Sequence, residues 1–265
     1  MSLKENGTIE EHRIYPSPNP NVKLTEITYW SNGLKVKGLL AEPKKEGVFE
    51  SILYLRGGMQ FVGMVRPARI SQFAQKGFIV FAPYYRGNRG GEGKDEFAGE
   101  DRWDAVHGVE ILKKHPRAIP DRIHLYSFSR GGIMALWTAI LRNDITSVVF
   151  WAGVSDLIST YSERKDMRRM MKRVIGGTPN NNMEAYEERT ALFRIEEIDA
   201  PVLLVHGMKD ENVSFKQALL LEEELREKER VYETWYFPDY THHFPPQVNR
   251  KIVDDVCIWM RRQGK

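Results

Sequence analysis

The residues most able to do chemistry in this chain sit in Ile123-His124-Leu125-Tyr126-Ser127-Phe128-Ser129-Arg130-Gly131-Gly132. A short apolar run breaks at small residues and resumes after two glycines with helical spacing, which predicts strand, tight turn and helix. A serine at the apex of such a turn is lifted clear of the sheet when the residues two before and two after it are small, the usual form being G-x-S-x-G. With Ser129 at the apex those flanks are Ser127 and Gly131; with Ser127 there, bulky Leu125 would stand at the strand–helix crossing. Ser129 is therefore the candidate nucleophile. A serine hydroxyl reacts only when an imidazole takes its proton and a carboxylate orients that imidazole. Two later polar stretches follow apolar runs and supply those groups. Asp210 is the candidate acid, with Asp156 and Asp239 as rivals, and His242 and His243 compete as the base. His206, at a strand end before Gly207, is expected to pack and bond to backbone. An oxyanion on the attacked carbon needs preorganised donors, worth about 3 to 4 kcal/mol each. The backbone N–H of Arg130 is one candidate, and an N–H of the Gly57-Gly58-Met59 loop, at Gly58 or Met59, is the other.

The elements that must position these groups alternate. Val22–Tyr29 and Lys35–Ala41 flank Ser31-Asn32-Gly33 as a β-hairpin. Buried strands are expected at 51–55, 78–82, 123–127, 147–151, 202–205 and 231–237. Helices are expected at 68–75, 101–114, from the two glycines to about 141, 215–228 and 248–260. In helix 215–228, Leu219, Leu220, Leu221 and Leu225 are read as facing inward. Short strands separated by helices indicate a parallel sheet with crossover helices, whose sites form beyond the strand C-terminal ends. The chain order Ser, Asp, His is that of the α/β-hydrolase fold. Residues 1–20 end in a Pro16, Pro18, Pro20 ladder and read as an extended arm, and 21–265 as one domain. Within it, about 155–192 shows no buried strand and reads as a charged, Met-rich helical insertion over the strand ends. Its basic run, Arg164 to Arg173, reads mainly as a solvated helix face. The Gly-rich loop 83–93 holds more tyrosine and arginine than a connector needs.

With 265 residues and 42% hydrophobic content the chain can bury a full core. Its 39 basic and 36 acidic side chains nearly balance, so nothing points to nucleic acid or an anionic membrane surface. The single cysteine, Cys257, excludes an intramolecular disulfide and reads as buried and inert. No apolar leader opens the chain and no run reaches membrane-spanning length, so a cytoplasmic protein with no membrane partner is expected. No group of His, Cys and carboxylates has ligand spacing, and neither metal nor cofactor is required. Trp30, Trp235 and the arm leave room for a homo-oligomeric contact.

Taken together these motifs resemble the catalytic domain of the prolyl oligopeptidase family of α/β-hydrolases. Gly57-Gly58 is similar to the family's H-G-G loop, with Arg56 in place of histidine. Tyr85-Arg86-Gly87-Asn88-Arg89-Gly90-Gly91-Glu92-Gly93 resembles N-Y-R-G-S-x-G-Y-G, Ser127–Gly132 resembles G-x-S-x-G-G, and Gly176-Gly177-Thr178-Pro179 with Tyr186 resembles the helical insertion. Thr241-His242-His243-Phe244 is similar to G-H-x-F, which places the base at His242. The resemblance implies an α/β-hydrolase fold: a mostly parallel sheet with helices on both faces and a small helical insertion near the active site. It also implies a stand-alone domain without the β-propeller of family peptidases. The expected activity is a serine hydrolase, esterase or peptidase, cleaving a small ester or short peptide through an acyl-enzyme. A non-catalytic binding protein on the same fold is the alternative.

Overall fold

A computed structural model describes residues 4–264. Its strands are β1 (Ile9–Tyr15), β2 (Val22–Ser31), β3 (Leu34–Pro43), β4 (Phe49–Leu55), β5 (Phe78–Pro83), β6 (Ala118–Phe128), β7 (Ser147–Trp151), β8 (Val202–Gly207) and β9 (Tyr232–Phe237). Its helices are α1 (Pro67–Gln75), α2 (Arg102–Lys113), α3 (Gly131–Ile140), α4 (Leu157–Glu163), α5 (Arg168–Ile175), α6 (Met183–Glu187), α7 (Lys216–Glu227) and α8 (Pro246–Gln263). The strands form one sheet in the order β1-β2-β3-β5-β4-β6-β7-β8-β9. Pairing is antiparallel from β1 through β3 to β5 and parallel from β5 across to β9.

The central strands are apolar on both sides because both faces are covered. Leu53, Leu55, Leu125 and Leu204 point into a core shared with α2, α3 and α7, while Ile52, Tyr54, Tyr126 and Val205 point into a second core under α1 and α8. This is the period-two alternation of a strand buried twice. Cys257 lies in the second core, where burial pushes its thiol up to about 12 and leaves it inert. No helix among the described residues is long and apolar enough to cross a membrane.

Three sequence expectations need adjusting. The stretch 1–20 is not simply an arm: Ile9–Tyr15 is the edge strand β1, with Ile14 opposite Thr25 and Tyr15 opposite Leu24, and residues 1–3 lie outside the described set. Because β1 is largely exposed, it carries no apolar alternation to reveal it. In α7, Ala218, Leu221 and Leu225 are buried, whereas Leu219 is 45% exposed and Leu220 only partly covered. The elbow strand is also longer than its apolar part, since β6 begins at Ala118 opposite Phe49. The segment 155–192 is helical as expected, with three α-helices, a 3-10 turn at Lys165–Met167 and another, Ala191–Glu197, that runs past its end.

The start of α3 is pressed against the end of β4 beneath the site. A methyl on Gly131 would lie 2.1 Å from the Leu55 carbonyl oxygen, inside β4's own backbone. Gly131→Ala is expected to destabilise the fold by about 1 to 3 kcal/mol, as overpacking against unyielding backbone does. Urea unfolding checks this, and an unchanged midpoint would refute the tight crossing.

Candidate active site

The site is built at the C-terminal ends of β4, β6, β8 and β9. At the end of β6, Ser129 takes a φ of +58°, a conformation that costs a non-glycine residue energy. Hydrogen bonds hold it there: Ser129 N–H donates to the Trp151 carbonyl at 3.1 Å, and the Ser129 carbonyl accepts from Gly132 N–H at 2.9 Å and Val154 N–H at 3.0 Å. Ser127, at the position where the family pattern has glycine, fits because its buried hydroxyl donates to the Val149 carbonyl at 2.8 Å. The choice of Ser129 over Ser127 as apex is thus visible in the backbone.

Asp210 follows β8 and His242 follows β9, and the two loops are tied by Met208 N–H to Phe237 O at 2.9 Å and Lys209 N–H to Tyr240 O at 3.0 Å. His242 Nδ1 lies 2.7 Å from Asp210 Oδ2, and the other carboxylate oxygen accepts from Asn212 N–H at 2.8 Å and Val213 N–H at 2.9 Å. Burial works to raise the Asp210 pKa, but hydrogen bonds from His206 and His242, the charge of His242 and the Val213 N–H together hold it well below the usual carboxylate range. Asp210 therefore stays ionised, and His242 turns Nδ1 toward it while lining the cavity. His206 is buried with Nε2 3.0 Å from the Val213 carbonyl, as expected of a packed histidine, and is 3.4 Å from Asp210. The rival acids are occupied elsewhere. Asp156 caps α4 by accepting from Ile158 and Ser159 N–H, and Asp239 is an exposed partner of Lys209. His243 is exposed and stacks on Phe128 with centroids 5.6 Å apart, while His242 packs on the same ring at 4.7 Å.

Ser129, Arg130, His242 and the Gly57-Gly58-Met59 loop line one cavity of about 950 Å³. The loop presses on Ser129: a methyl on Gly57 would lie 2.7 Å from Ser129 Cβ. Its peptides are oriented by two buried arginines. Arg56 Nη1 donates to the Gly57 carbonyl at 3.0 Å, and Arg130 Nη1 donates to the Gly58 carbonyl at 2.9 Å. In a planar trans peptide the N–H points opposite to the C=O, so these bonds direct the Gly58 and Met59 N–H groups away from the arginines. Gln60 N–H is engaged with Asp95. Within the cavity the helical segment contributes Thr160, Arg164, Asp166, Met167 and Met170, so it does cover the strand ends.

The substituted Arg56 and the side chain of Arg130 belong to one buried network that sequence reasoning missed. Arg130 pairs with Asp95 at 2.7 Å and with Asp101, and Arg56 reaches Asp95 at 3.6 Å and the Tyr84 carbonyl at 3.0 Å. Tyr85 lies against both guanidiniums, 5.2 Å from each, and Phe97 against Arg130 at 4.9 Å. Asn88 donates to Asp95 at 3.1 Å, and neighbouring Arg86 pairs with Asp104 at 2.8 Å. The loop 83–93 thus forms the floor under the Gly57-Gly58-Met59 loop. Burial raises the Asp101 carboxyl, with Arg130 opposing and Asp95 and Asp104 reinforcing that shift. The one sequence signal was the surplus of Tyr and Arg in that loop.

A family model described as the prolyl oligopeptidase family matches residues 64–265. The chain belongs to the prolyl oligopeptidase family. It is 55% identical over 256 residues to the Bacillus subtilis (strain 168) protein named uncharacterized peptidase YtmA, covering 96% of this chain and all of that one. Among solved structures, the Pyrococcus horikoshii acylaminoacyl peptidase superposes with a TM-score of 0.80 at 21% identity, over 92% of this chain and 42% of that longer one. An acetyl xylan esterase from Paenibacillus sp. R4 gives 0.74 at 15% identity, over 94% and 88%. These superpositions establish the α/β-hydrolase fold, and the family membership makes the protein a serine hydrolase of the prolyl oligopeptidase type.

Removing one acid from the buried network leaves an uncompensated arginine, a loss of about 3 to 5 kcal/mol. Asp101→Ala is expected to lower stability by that order in urea unfolding, far more than removal of the exposed Lys209–Asp239 pair by Asp239→Ala. Equal effects would show that the buried network carries no special weight.

Proposed function

We propose that Ser129, His242 and Asp210 act as nucleophile, base and orienting acid in the hydrolysis of a small ester or amide, including short peptide-like amides. The observation that carries this reading is the 2.7 Å His242–Asp210 contact beside a serine held at positive φ in the same cavity. In the acylation step Ser129 Oγ bonds to the carbonyl carbon and its proton passes to His242 Nε2. That proton then goes to the leaving oxygen or nitrogen as its bond to carbon breaks. Water repeats the sequence on the acyl-enzyme, with His242 as base, and releases the acid. The oxyanion would meet the Arg130 N–H and an N–H of Gly58 or Met59.

The residues that depart from the family motifs do not count against activity. Arg56 serves as a clamp on the oxyanion loop, Ser127 is satisfied by Val149, and Thr241 is exposed. A cavity of about 950 Å³ favours small substrates over long chains. Its one lining carboxylate, Asp166, is paired with Arg164 at 2.6 Å, so a peptide's free amino terminus has no carboxylate waiting for it among the described lining residues.

Intact mass after fluorophosphonate treatment is expected to show one adduct on the wild type and none on Ser129→Ala. That variant should lose at least about a thousandfold in kcat on short p-nitrophenyl esters, because triad members act as a unit. Unchanged turnover in Ser129→Ala would overturn the assignment.

His243→Ala should be mild by comparison, and a loss larger than that of His242→Ala would move the base to His243. Asp210→Asn should lower kcat about ten-thousandfold at neutral pH by disturbing the imidazole tautomer. Since the folded Asp210 pKa lies below its ordinary 3.8, the stability its ionised form contributes is present above about pH 4 and fades as pH falls further. The Asp210→Asn protein should accordingly lose less stability than the wild type between pH 5 and pH 3 in acid unfolding, and equal losses would contradict the depressed pKa.

A further inference from the structure

The reactive cavity is unevenly charged. Six arginines line it, Arg56, Arg66, Arg69, Arg130, Arg164 and Arg250, against the single carboxylate of Asp166. Three of these charges are already committed: Arg56 and Arg130 to Asp95 and Asp101, and Arg164 to Asp166. The other three are not. The guanidiniums of Arg66 and Arg250 have no hydrogen-bond or ion-pair partner among the described residues, though both line the cavity. Arg69 is fixed by neutral groups, donating to Gln72 Oε1 at 3.1 Å and to Asn249 Oδ1. Amide oxygens orient a guanidinium without neutralising it, so the charge of Arg69 stays available to a ligand.

These three arginines come from the starts of two helices that meet at the cavity. Arg66 immediately precedes α1 and Arg69 lies in its first turn, while Arg250 lies in the second turn of α8, next to Asn249. The Arg69–Asn249 bond joins the two helix starts. Neither helix has a side-chain cap, so the positive ends of both add to the same field. The loop before α8 carries His242 and His243, and Arg69 bonds to Asn249 in the first turn of that helix, so the start of α1 lies on the imidazole side of the cleft. The imidazole must meet the leaving atom, so the groups around it contact the leaving half of the substrate.

We infer that Arg66, Arg69 and Arg250 form an anion subsite for the leaving group, and that the preferred substrate is an ester or amide whose alcohol or amine half carries a free carboxylate. An acylated amino acid, or the last peptide bond of a short peptide, has that chemistry. Guanidiniums lining one cleft, with Arg69 half-buried and Arg66 and Arg250 exposed, suit a carboxylate, which an arginine can grip with two parallel N–H···O bonds. The basic run of the helical insertion plays no part in this: Arg168 donates to the carbonyls of Tyr161 and Ser162, and Lys165, Arg169, Lys172 and Arg173 do not line the cavity.

The inference rests on the hydrolase reading above, and the test separates the two. Butyrate esters of 4-hydroxybenzoate and 4-hydroxybenzamide differ in a carboxylate against a neutral amide on the leaving group. The wild type should favour the carboxylate ester by at least about tenfold in kcat/KM at low salt, and the preference should shrink as salt screens it. Arg66→Gln/Arg250→Gln should cut that ratio at least about tenfold, whereas Lys165→Gln/Arg169→Gln, on the insertion's outer face, should leave it as in the wild type. No wild-type preference, or a ratio unmoved by Arg66→Gln/Arg250→Gln, would overturn the subsite. A preference for p-nitrophenyl monosuccinate over p-nitrophenyl butyrate, without one on the leaving group, would overturn its placement. Absence of both neutral-ester turnover and a fluorophosphonate adduct would instead defeat the hydrolase reading itself.

Discussion

Two guanidiniums buried beneath a loop of glycines set the terms for the rest of this structure. Away from water, Arg56 and Arg130 must be answered by carboxylates and carbonyls or the fold cannot contain them. Asp95 and Asp101 supply the charge, Tyr85 and Phe97 the faces, and the Gly57, Gly58, Val62 and Tyr84 carbonyls further acceptors. The same bonds that satisfy the arginines fix the peptides nearest to Ser129. Satisfying buried charge and preorganising N–H donors are here one arrangement, with Arg130 taking part through both its backbone and its side chain.

The sheet gives that arrangement its partners. Parallel pairing from β4 to β9 brings four strand ends to one edge, so residues more than a hundred positions apart in sequence meet without long loops. Ser129 rests where the start of α3 presses on the end of β4, Asp210 on the turn after β8, and His242 on a loop bonded to that turn. The helical insertion closes the top with methionines and an internally paired Arg164, while the starts of α1 and α8 frame the side where charge is unspent.

How much of this the sequence disclosed depends on whether a signal was local. Buried strands and their helices were legible because apolar runs and periodicity are written over five to fifteen residues. Ser129 was legible from the sizes of its flanking residues, and Asp210 from its place after an apolar strand, where the contact with His242 is now visible. The candidate base was narrowed to His242 or His243 by residue type alone, and a motif resemblance favoured His242, the histidine that meets Asp210. The strand β1 was not legible, since exposed residues carry no apolar alternation. The Arg56–Arg130–Asp95–Asp101 network was hidden for the opposite reason: its members are charged residues spread over 56–130, and charge in a sequence reads as surface. The spare arginines of α1 and α8 were missed likewise, 184 positions separating Arg66 from Arg250.

The late position of β9 and α8 in the chain has a consequence for synthesis. A growing polypeptide can form β4, β6 and the serine turn well before residue 242 has been made, and parallel pairing with β9 is among the last long-range contacts available to it. During that interval Ser129 stands in a nearly finished scaffold without the loop that carries His242. Under the proposed mechanism, reactivity comes only once the loop after β9 has joined that scaffold, so a chain stalled before it is chemically silent however much of its sheet has formed.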